Sequence, residues 1–132
     1  MNIPINLPLN KVGVPLVVST SSPNLCFIVD TGATNNILFS YVLDALNKDY
    51  KPLEKAHSIV GINGIPVNVP QIEMSLFFEN NKATSIFSVL DASPAISQIQ
   101  TESVIQIHGI LGIPFLTQNE WILDFHNLTI TN

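Results

Sequence analysis

The chain has 132 residues, a formal net charge of −5 and 46% hydrophobic residues, which together predict a folded domain and exclude a disordered tail. Its ten carboxylates are accompanied by five lysines and no arginine, so no basic cluster could neutralise phosphates and nucleic-acid binding is not expected. The single cysteine, Cys26, excludes an intrachain disulfide and a cysteine-rich zinc site.

Targeting and membrane signals are missing from the chain. The amino-terminal segment has neither the basic region nor the continuous apolar stretch of a signal peptide. No apolar run reaches the length of a transmembrane helix. We therefore expect no membrane association and a cytoplasmic location, although the chain could also be cut from a longer, exported protein. Residues 1–132 are predicted to form one domain.

The first part of the chain predicts short strands and one helix. Residues 3–9 alternate apolar and polar side chains and contain two prolines, which favours an edge strand or an arm. Residues 12–19 and 25–29 are apolar and flank turn-forming residues, so they predict a hairpin. Residues 35–49 have a rough i, i+4 apolar pattern that predicts a helix, which Ser40 could shorten by acting as its N-cap.

The second part of the chain predicts three further hairpins. Their tips are Gly61–Gly64, residues 80–83 and residues 126–127, each between two strand-like segments. Residues 92–106 are interpreted as a loop over the body of the protein. Many short strands with one or two short helices are typical of an all-β fold, either a sandwich or a small barrel.

Most catalytic and metal-binding motifs are missing, and Asp30 is the strongest remaining candidate. The chain has no G-x-S-x-G or H-E-x-x-H motif and no phosphate-binding loop, and its three histidines are scattered. Asp30 ends an apolar strand and precedes Thr31 and Gly32. A carboxylate there costs free energy unless something pairs with it or uses it. Asp and Gly are also common turn residues, so a turn without chemistry stays open.

The segment FIVDTGAT, Phe27–Thr34, resembles the active-site segment of the retropepsin-like aspartic proteases, which include retroviral, retrotransposon and bacterial members. Two more motifs follow in the family's order, since HSIVGINGIPV resembles the flap hairpin and GILGIPFL resembles the apolar-apolar-Gly triplet before a short helix. The closing WILDFHNLTI resembles the last hairpin of bacterial and retrotransposon members. The resemblance spans roughly Val12 to Ile130. It implies a retropepsin-like acid-protease fold, a small closed β-barrel or sandwich with a flap and one or two short helices, one lobe per chain.

The resemblance also implies an activity and a set of site residues. It implies a homodimeric aspartic endopeptidase that needs no cofactor or metal and cleaves peptides or proteins with hydrophobic residues near the cleaved bond. Asp30 would be the catalytic acid and base, Thr31 would hydrogen-bond across the two-fold axis, and Gly32 would allow close backbone approach. Leu111 and Gly112 would be structural, with Gly112 packed behind the Asp-Thr-Gly loop. The implied substrate-binding residues are Ala33, Thr34, Gly61, Ile62, Asn63, Gly64, Ile107, His108 and Ile110.

The sequence departs from the retroviral pattern at three positions and leaves two alternatives open. Thr34, Asn35 and Ile113 stand where retroviral members have two acids and an arginine, so that ion-pair support for a dimer is absent. One alternative is a non-catalytic member of the same fold that acts as a dimerisation or peptide-binding module. The other is an unrelated β-sandwich binding protein in which Asp30 only closes a turn.

Overall fold

The computed structural model describes residues 1–6, 13–20, 23–46, 49–54, 57–60 and 64–132. Regular structure in these ranges is mostly β. The strands are β1 (Asn2–Pro4), β2 (Leu16–Val18), β3 (Cys26–Val29), β4 (Ile37–Phe39), β5 (Lys51–Pro52), β6 (His57–Val60), β7 (Pro66–Val69), β8 (Gln71–Phe78), β9 (Asn81–Leu90), β10 (Gly109–Leu111), β11 (Ile122–Asp124) and β12 (Thr129–Thr131). The helices are a 3-10 helix (Ser40–Leu46), α1 (Pro94–Ser103) and α2 (Ile113–Gln118).

The largest sheet has seven strands in the order β2–β3–β10–β4–β9–β8–β5. Strand β10 comes late in the chain, yet it lies between β3 and β4, parallel to the first and antiparallel to the second. Its register pairs Gly109 with Phe27 and Leu111 with Val29. Because the two strands run in the same direction, the residues that follow them, Asp30 and Gly112, meet at one edge of the sheet.

Four predicted hairpins are present in the described parts of the chain. β2 pairs with β3, β6 with β7, β8 with β9 and β11 with β12, all antiparallel. The β8–β9 turn lies at Glu79 and Asn80, slightly before the predicted tip, with Glu79 at a φ of 57°. β1 pairs with β12, which agrees with the predicted amino-terminal edge strand; residues 7–9 of that prediction lie outside the described residues.

The predicted helix over residues 35–49 is wrong in its first part. Ile37–Phe39 form strand β4, which fills the position between β10 and β9 in the sheet. A helix begins only at Ser40, as the shorter alternative predicted, and it is a 3-10 helix that buries Val42 and Leu46. Leu38 and Phe39 are buried in the sheet, so tertiary packing overrides the weak helical pattern.

The interpretation of residues 92–106 as a loop is also wrong, because Pro94–Ser103 form α1. Ser93 is the N-cap, and its hydroxyl accepts the Ile96 N–H at 3.3 Å, while Pro94 occupies the first turn. A Ser-Pro pair at this position is a known start signal for helices. The signal was present in the sequence and outweighs the irregular apolar pattern that follows it.

Aromatic side chains connect the central strands to α2. The Phe27 and Phe87 rings lie 6.1 Å apart, and Phe87 lies 6.3 Å from Phe115 of α2. Trp121 packs edge-on against Phe115 at 5.1 Å. All three phenylalanines are fully buried, so the start of α2 is fixed against the core beside the end of β3. Within the described ranges, no helix combines the length and apolar character needed to cross a membrane.

Candidate active site

Asp30 follows β3 and begins a tight turn. Its backbone N–H donates to the Leu111 carbonyl at 3.0 Å, and its own carbonyl accepts the Ala33 N–H at 3.2 Å. Its carboxylate Oδ1 accepts the Gly32 N–H at 2.8 Å. A Cβ at position 32 would lie only 3.3 Å from that oxygen, so glycine leaves space beside the carboxylate. The Asp30 side chain is half-buried, and Thr31 and Gly32 are exposed.

The segment after β10 is packed directly against this turn. The Ile113 N–H donates to the Ala33 carbonyl at 2.9 Å. A Cβ on Gly112 would lie 2.5 Å from the Asn35 carbonyl oxygen and 2.8 Å from that of Ala33, distances that real side chains do not reach. The close approach of the two backbones therefore requires glycine at position 112. Leu111, fully buried, anchors the same segment in the core.

Asn36 is a buried residue of this site that the sequence analysis missed. Its Oδ1 accepts the N–H groups of Gly112 and Phe115, both at 3.1 Å. Its Nδ2 donates to Ser85 Oγ at 3.2 Å and to the Ile86 carbonyl at 3.1 Å. The side chain is only 3% exposed, so these bonds satisfy an amide that would otherwise be costly to bury. A signal existed, because Asn35-Asn36 is a polar pair directly before a buried apolar strand.

The predicted substrate-binding residues do not all lie together. Ala33 is half-buried and Thr34 is exposed, and both follow Asp30 in the same loop. Ile110 is half-buried and pairs with Ile28 on one side and Ile37 on the other. Gly64 is exposed, with a φ of +75° that suits a hairpin tip. Gly61, Ile62 and Asn63 lie outside the described residues.

Ile107 corrects one expectation, because it has no exposed surface. It belongs to the core and does not form the wall of a pocket in this chain. Strand β10 begins two residues later, at Gly109.

His108 lies at the opposite end of the β3–β10 pair from Asp30. The imidazole Nδ1 of His108 accepts the backbone N–H of Cys26 at 2.8 Å. The backbone N–H of His108 donates to the Cys26 carbonyl, also at 2.8 Å. Burial lowers the pKa of the His108 imidazole below its usual 6.5. Burial also raises the pKa of the Cys26 thiol to about 11, which keeps it protonated near neutral pH.

The Asp30 carboxylate is held by the Gly32 N–H at Oδ1 and is half-buried. Its exposed part could contact a substrate or a second carboxyl group. Among the residues that the structure describes, no group of three or more His, Cys, Asp or Glu side chains could hold a metal ion. Within the described residues, the site presents the Asp30 carboxylate together with backbone N–H and C=O groups.

No protein-family model matches the sequence, and no curated protein matches it significantly. Solved structures do match. EIAV protease in complex with the inhibitor HBY-793 is 18% identical, with a TM-score of 0.62 over 88% of this chain and 95% of that chain. The retroviral protease-like domain of Ddi1 from Leishmania major is 16% identical, with a TM-score of 0.56 over 91% of this chain and 92% of that domain.

The chain therefore has a retropepsin-like, mostly β fold, as the three sequence motifs predicted. At these identities the likeness establishes the fold alone. The alternative of an unrelated β-sandwich is wrong, because both matches cover most of the chain.

Proposed function

We propose that the protein is an aspartic endopeptidase that works as a symmetric homodimer. The observation that carries this proposal is the placement of Asp30 at the end of β3, in a turn held against Leu111–Gly112 by backbone hydrogen bonds and close packing. The distant segment packed behind the loop supports the backbone that carries the Asp30 carboxylate. The retropepsin-like fold supports the same function.

The chemistry requires two carboxylates that share one proton. Two carboxyl groups about 3 Å apart cannot both be ionised, because their negative charges repel each other. The pair therefore titrates as a unit and holds one proton between its two members. The ionised member takes a proton from the attacking water, and the protonated member donates its proton to the oxygen of the peptide carbonyl. Both groups change roles as the tetrahedral intermediate collapses and the amine leaves.

This chain supplies one such carboxylate, so the second must come from another copy. The other aspartates are Asp44, Asp49, Asp91 and Asp124, and none follows a strand into an Asp-Thr-Gly turn. A two-fold axis beside Asp30 would bring both copies of this residue together. Thr31, exposed in the single chain, is then free to hydrogen-bond across the axis.

The substrate would bind in an extended conformation, as an added strand. The hairpin of β6 and β7, with its tip at Gly61–Gly64, would close over the peptide and exclude water. Ala33, Thr34, Ile62 and Ile110 would contact side chains near the cleaved bond. The apolar members of this set favour hydrophobic substrate residues on either side of that bond.

Asp30→Asn tests the mechanism, and Asp44→Asn is its matched control. Asp44 is exposed in the 3-10 helix, so the control makes the same chemical change outside the site. We expect Asp30→Asn to abolish cleavage of a peptide library at every pH between about 3 and 7, with an unchanged thermal midpoint. The control should cleave like the wild type. Cleavage by purified Asp30→Asn would exclude this mechanism.

Sedimentation of the wild-type protein tests the shared site. Activity per chain should rise with protein concentration in parallel with the dimer fraction. A monomer that cleaves at full rate would exclude the two-fold dyad. A stable dimer that cleaves no peptide in the library would favour a non-catalytic binding module.

A further inference from the structure

The side chain of Asn36 connects three elements that are far apart in sequence. Its carbonyl oxygen holds two N–H groups at the start of α2, and its amide group holds Ser85 and Ile86 of β9. Its backbone carbonyl accepts the Ser88 N–H at 2.8 Å. Asn36 itself ends the loop that begins with Asp30, so the loop is fixed at its far end to both α2 and the sheet.

The Asn36 side chain contributes to the amino terminus of helix α2, where the Ile113 N–H is bound by the Ala33 carbonyl. Its N-cap residue is Gly112, which has no side chain and makes no side-chain cap. The Asn36 oxygen accepts the N–H groups of Gly112 and Phe115, and thus supplies from a distant segment the cap that a local Asn or Ser would supply. A larger residue at 112 could cap the helix itself, but the carbonyls of Ala33 and Asn35 leave no space for it.

A second set of contacts joins the same network to Gln118, the last residue of α2. Ser85 Oγ donates to Gln118 Oε1 at 2.8 Å, and Gln118 Nε2 donates to the Thr84 carbonyl at 2.9 Å. Ser85 therefore accepts from Asn36 and donates to Gln118. These hydrogen bonds determine the orientation of the Asn36 amide, because its nitrogen must face Ser85 and its oxygen must face α2.

We propose that Asn36 is a positioning residue that sets the separation of the two Asp30 carboxylates in the dimer by locking the Asp30–Asn36 loop onto α2 and β9. The inference rests on the proposed function, in which the carboxylate pair is catalytic. The inference follows because the loop is held at both ends. Backbone hydrogen bonds to Leu111 and Ile113 hold its first part, and the Asn36 side chain holds its last residue against α2.

Asn36→Ala is the variant that tests this role, with Asn119→Ala as control. Asn119 is an asparagine at the other end of α2, and its Nδ2 donates to the Phe115 carbonyl at 2.9 Å. Both variants remove an amide that bonds the same helix, but only Asn36 belongs to the Asp30–Asn36 loop and ties it to β9 as well. We expect kcat to fall roughly 100-fold in Asn36→Ala, since a displacement of about 1 Å can cost that much, while KM changes less. The control should lose less than about threefold in kcat.

The pH profile separates positioning from simple loss of folded protein. If the carboxylates move apart, their coupling weakens and the two apparent pKa values approach each other. The bell-shaped profile of kcat/KM should therefore become narrower in Asn36→Ala and stay unchanged in Asn119→Ala. A lower activity with an unchanged bell width, in proportion to folded protein, would overturn the inference.

Amide hydrogen exchange gives a readout that needs no activity. The N–H groups of Asp30, Ala33 and Ile113 belong to the loop or its backing segment, but none donates to Asn36. We expect them to exchange roughly tenfold faster in Asn36→Ala than in the wild type or in Asn119→Ala. Equal exchange in all three proteins would overturn the inference even if the wild type cleaves peptides. A wild type that cleaves nothing would overturn the proposed function, and with it the catalytic consequence assigned to Asn36.

If Asn36→Ala does not fold, Ser85→Ala decides the question. It removes one of the two acceptors of the Asn36 amide nitrogen, together with the Ser85–Gln118 bond, and leaves the bonds from Asn36 to Gly112 and Phe115. The same loop amides should then exchange about threefold faster, in the same direction but with a smaller effect. No change in their exchange would show that the network does not hold the loop.

Discussion

The two ends of the β3–β10 pair differ in what they offer to solvent. At the carboxyl end, Asp30 is half-buried and its Oδ1 accepts the Gly32 N–H. At the amino end, the His108 Nδ1 is occupied by the Cys26 N–H, and the Cys26 thiol is buried with a raised pKa. The same two strands thus present a half-buried carboxylate at one end, and a hydrogen-bonded imidazole and a buried thiol at the other.

The contrast explains why a Cys and a His can be neighbours here without forming a nucleophile pair. The imidazole bonds the backbone of Cys26 and not its thiol, and it must be neutral at Nδ1 to accept that bond. At the same end, the Tyr41 hydroxyl donates to the Ile107 carbonyl and also contacts the Gln100 side chain within hydrogen-bond distance. We therefore expect changes at the amino end to affect stability, and changes at the carboxyl end to affect cleavage.

Gly109→Ala should have the largest effect on stability. A Cβ at position 109 would lie 2.2 Å from the Ile37 carbonyl and 3.0 Å from the Phe27 ring, in the middle of the central sheet. We expect a loss of about 3 kcal/mol or more in the free energy of unfolding, measured by denaturant titration. Gly13→Ala is the control. It has open space around it but a φ of +61°, so it should cost only about 1 kcal/mol.

Gly112→Ala should show most clearly that changes at the carboxyl end of the β3–β10 pair affect cleavage. Its Cβ would displace the Asn35 and Ala33 carbonyls, and with them the loop that carries Asp30. We expect a loss of about 2 kcal/mol in stability and a fall of about 100-fold in kcat per folded molecule. Gly109→Ala, assayed where it is folded, should retain a far larger share of kcat. Equal loss of kcat in both variants would contradict the division between the two ends.

Local sequence patterns predicted the fold where they were strong. Cys26–Val29 is a continuous apolar run and is a fully buried strand, while Gln71–Phe78 alternates and is buried on one face. The family resemblance, and not a local pattern, implies that Gly112 packs behind the Asp-Thr-Gly loop; the two segments meet because β10 is parallel to β3. The weak pattern over residues 35–49 failed, since a position inside the sheet outweighs a small helical preference.

The remaining errors concern side chains whose roles depend on distant partners. The resemblance predicts Ile107 in a pocket wall, but its side chain is fully buried in the core two residues before β10 begins. Asn36 was overlooked, because its bonds reach residues 49 to 79 positions away along the chain. No local pattern reports such distances. The tip Gly61–Asn63 stays a sequence-based expectation, as these residues lie outside the described part of the chain.

His108 makes the stability of the amino end depend on pH. Its pKa in the folded protein is below the usual 6.5 because it is buried, so the unfolded chain binds the proton first. Its contribution to stability is complete above about pH 6.5 and is lost as the pH falls toward the folded pKa. We expect the free energy of unfolding of the wild type to decline more steeply from pH 7 to pH 5 than that of His108→Gln. His126→Gln, changed at an exposed residue of the last turn, should follow the wild type. Parallel curves for wild type and His108→Gln would contradict this assignment.

Of these variants, Val104→Gly should change the free energy of unfolding least, and we expect it to increase. Val104 follows α1 at a φ of 58° and is 90% exposed, so its β-branched side chain is held in the left-handed region without burial in return. Glycine adopts this conformation readily and commonly ends helices, but it also increases the entropy of the unfolded chain. We expect a net gain of about 0.5 kcal/mol in the free energy of unfolding, and less from Val104→Ala, which keeps a Cβ in the same conformation. Cleavage should be unchanged in both variants, since α1 leads into the amino end of β10 and not into the Asp30 loop. A change in kcat would mean that the two ends are coupled through β10, and the comparison between them would then have to be abandoned.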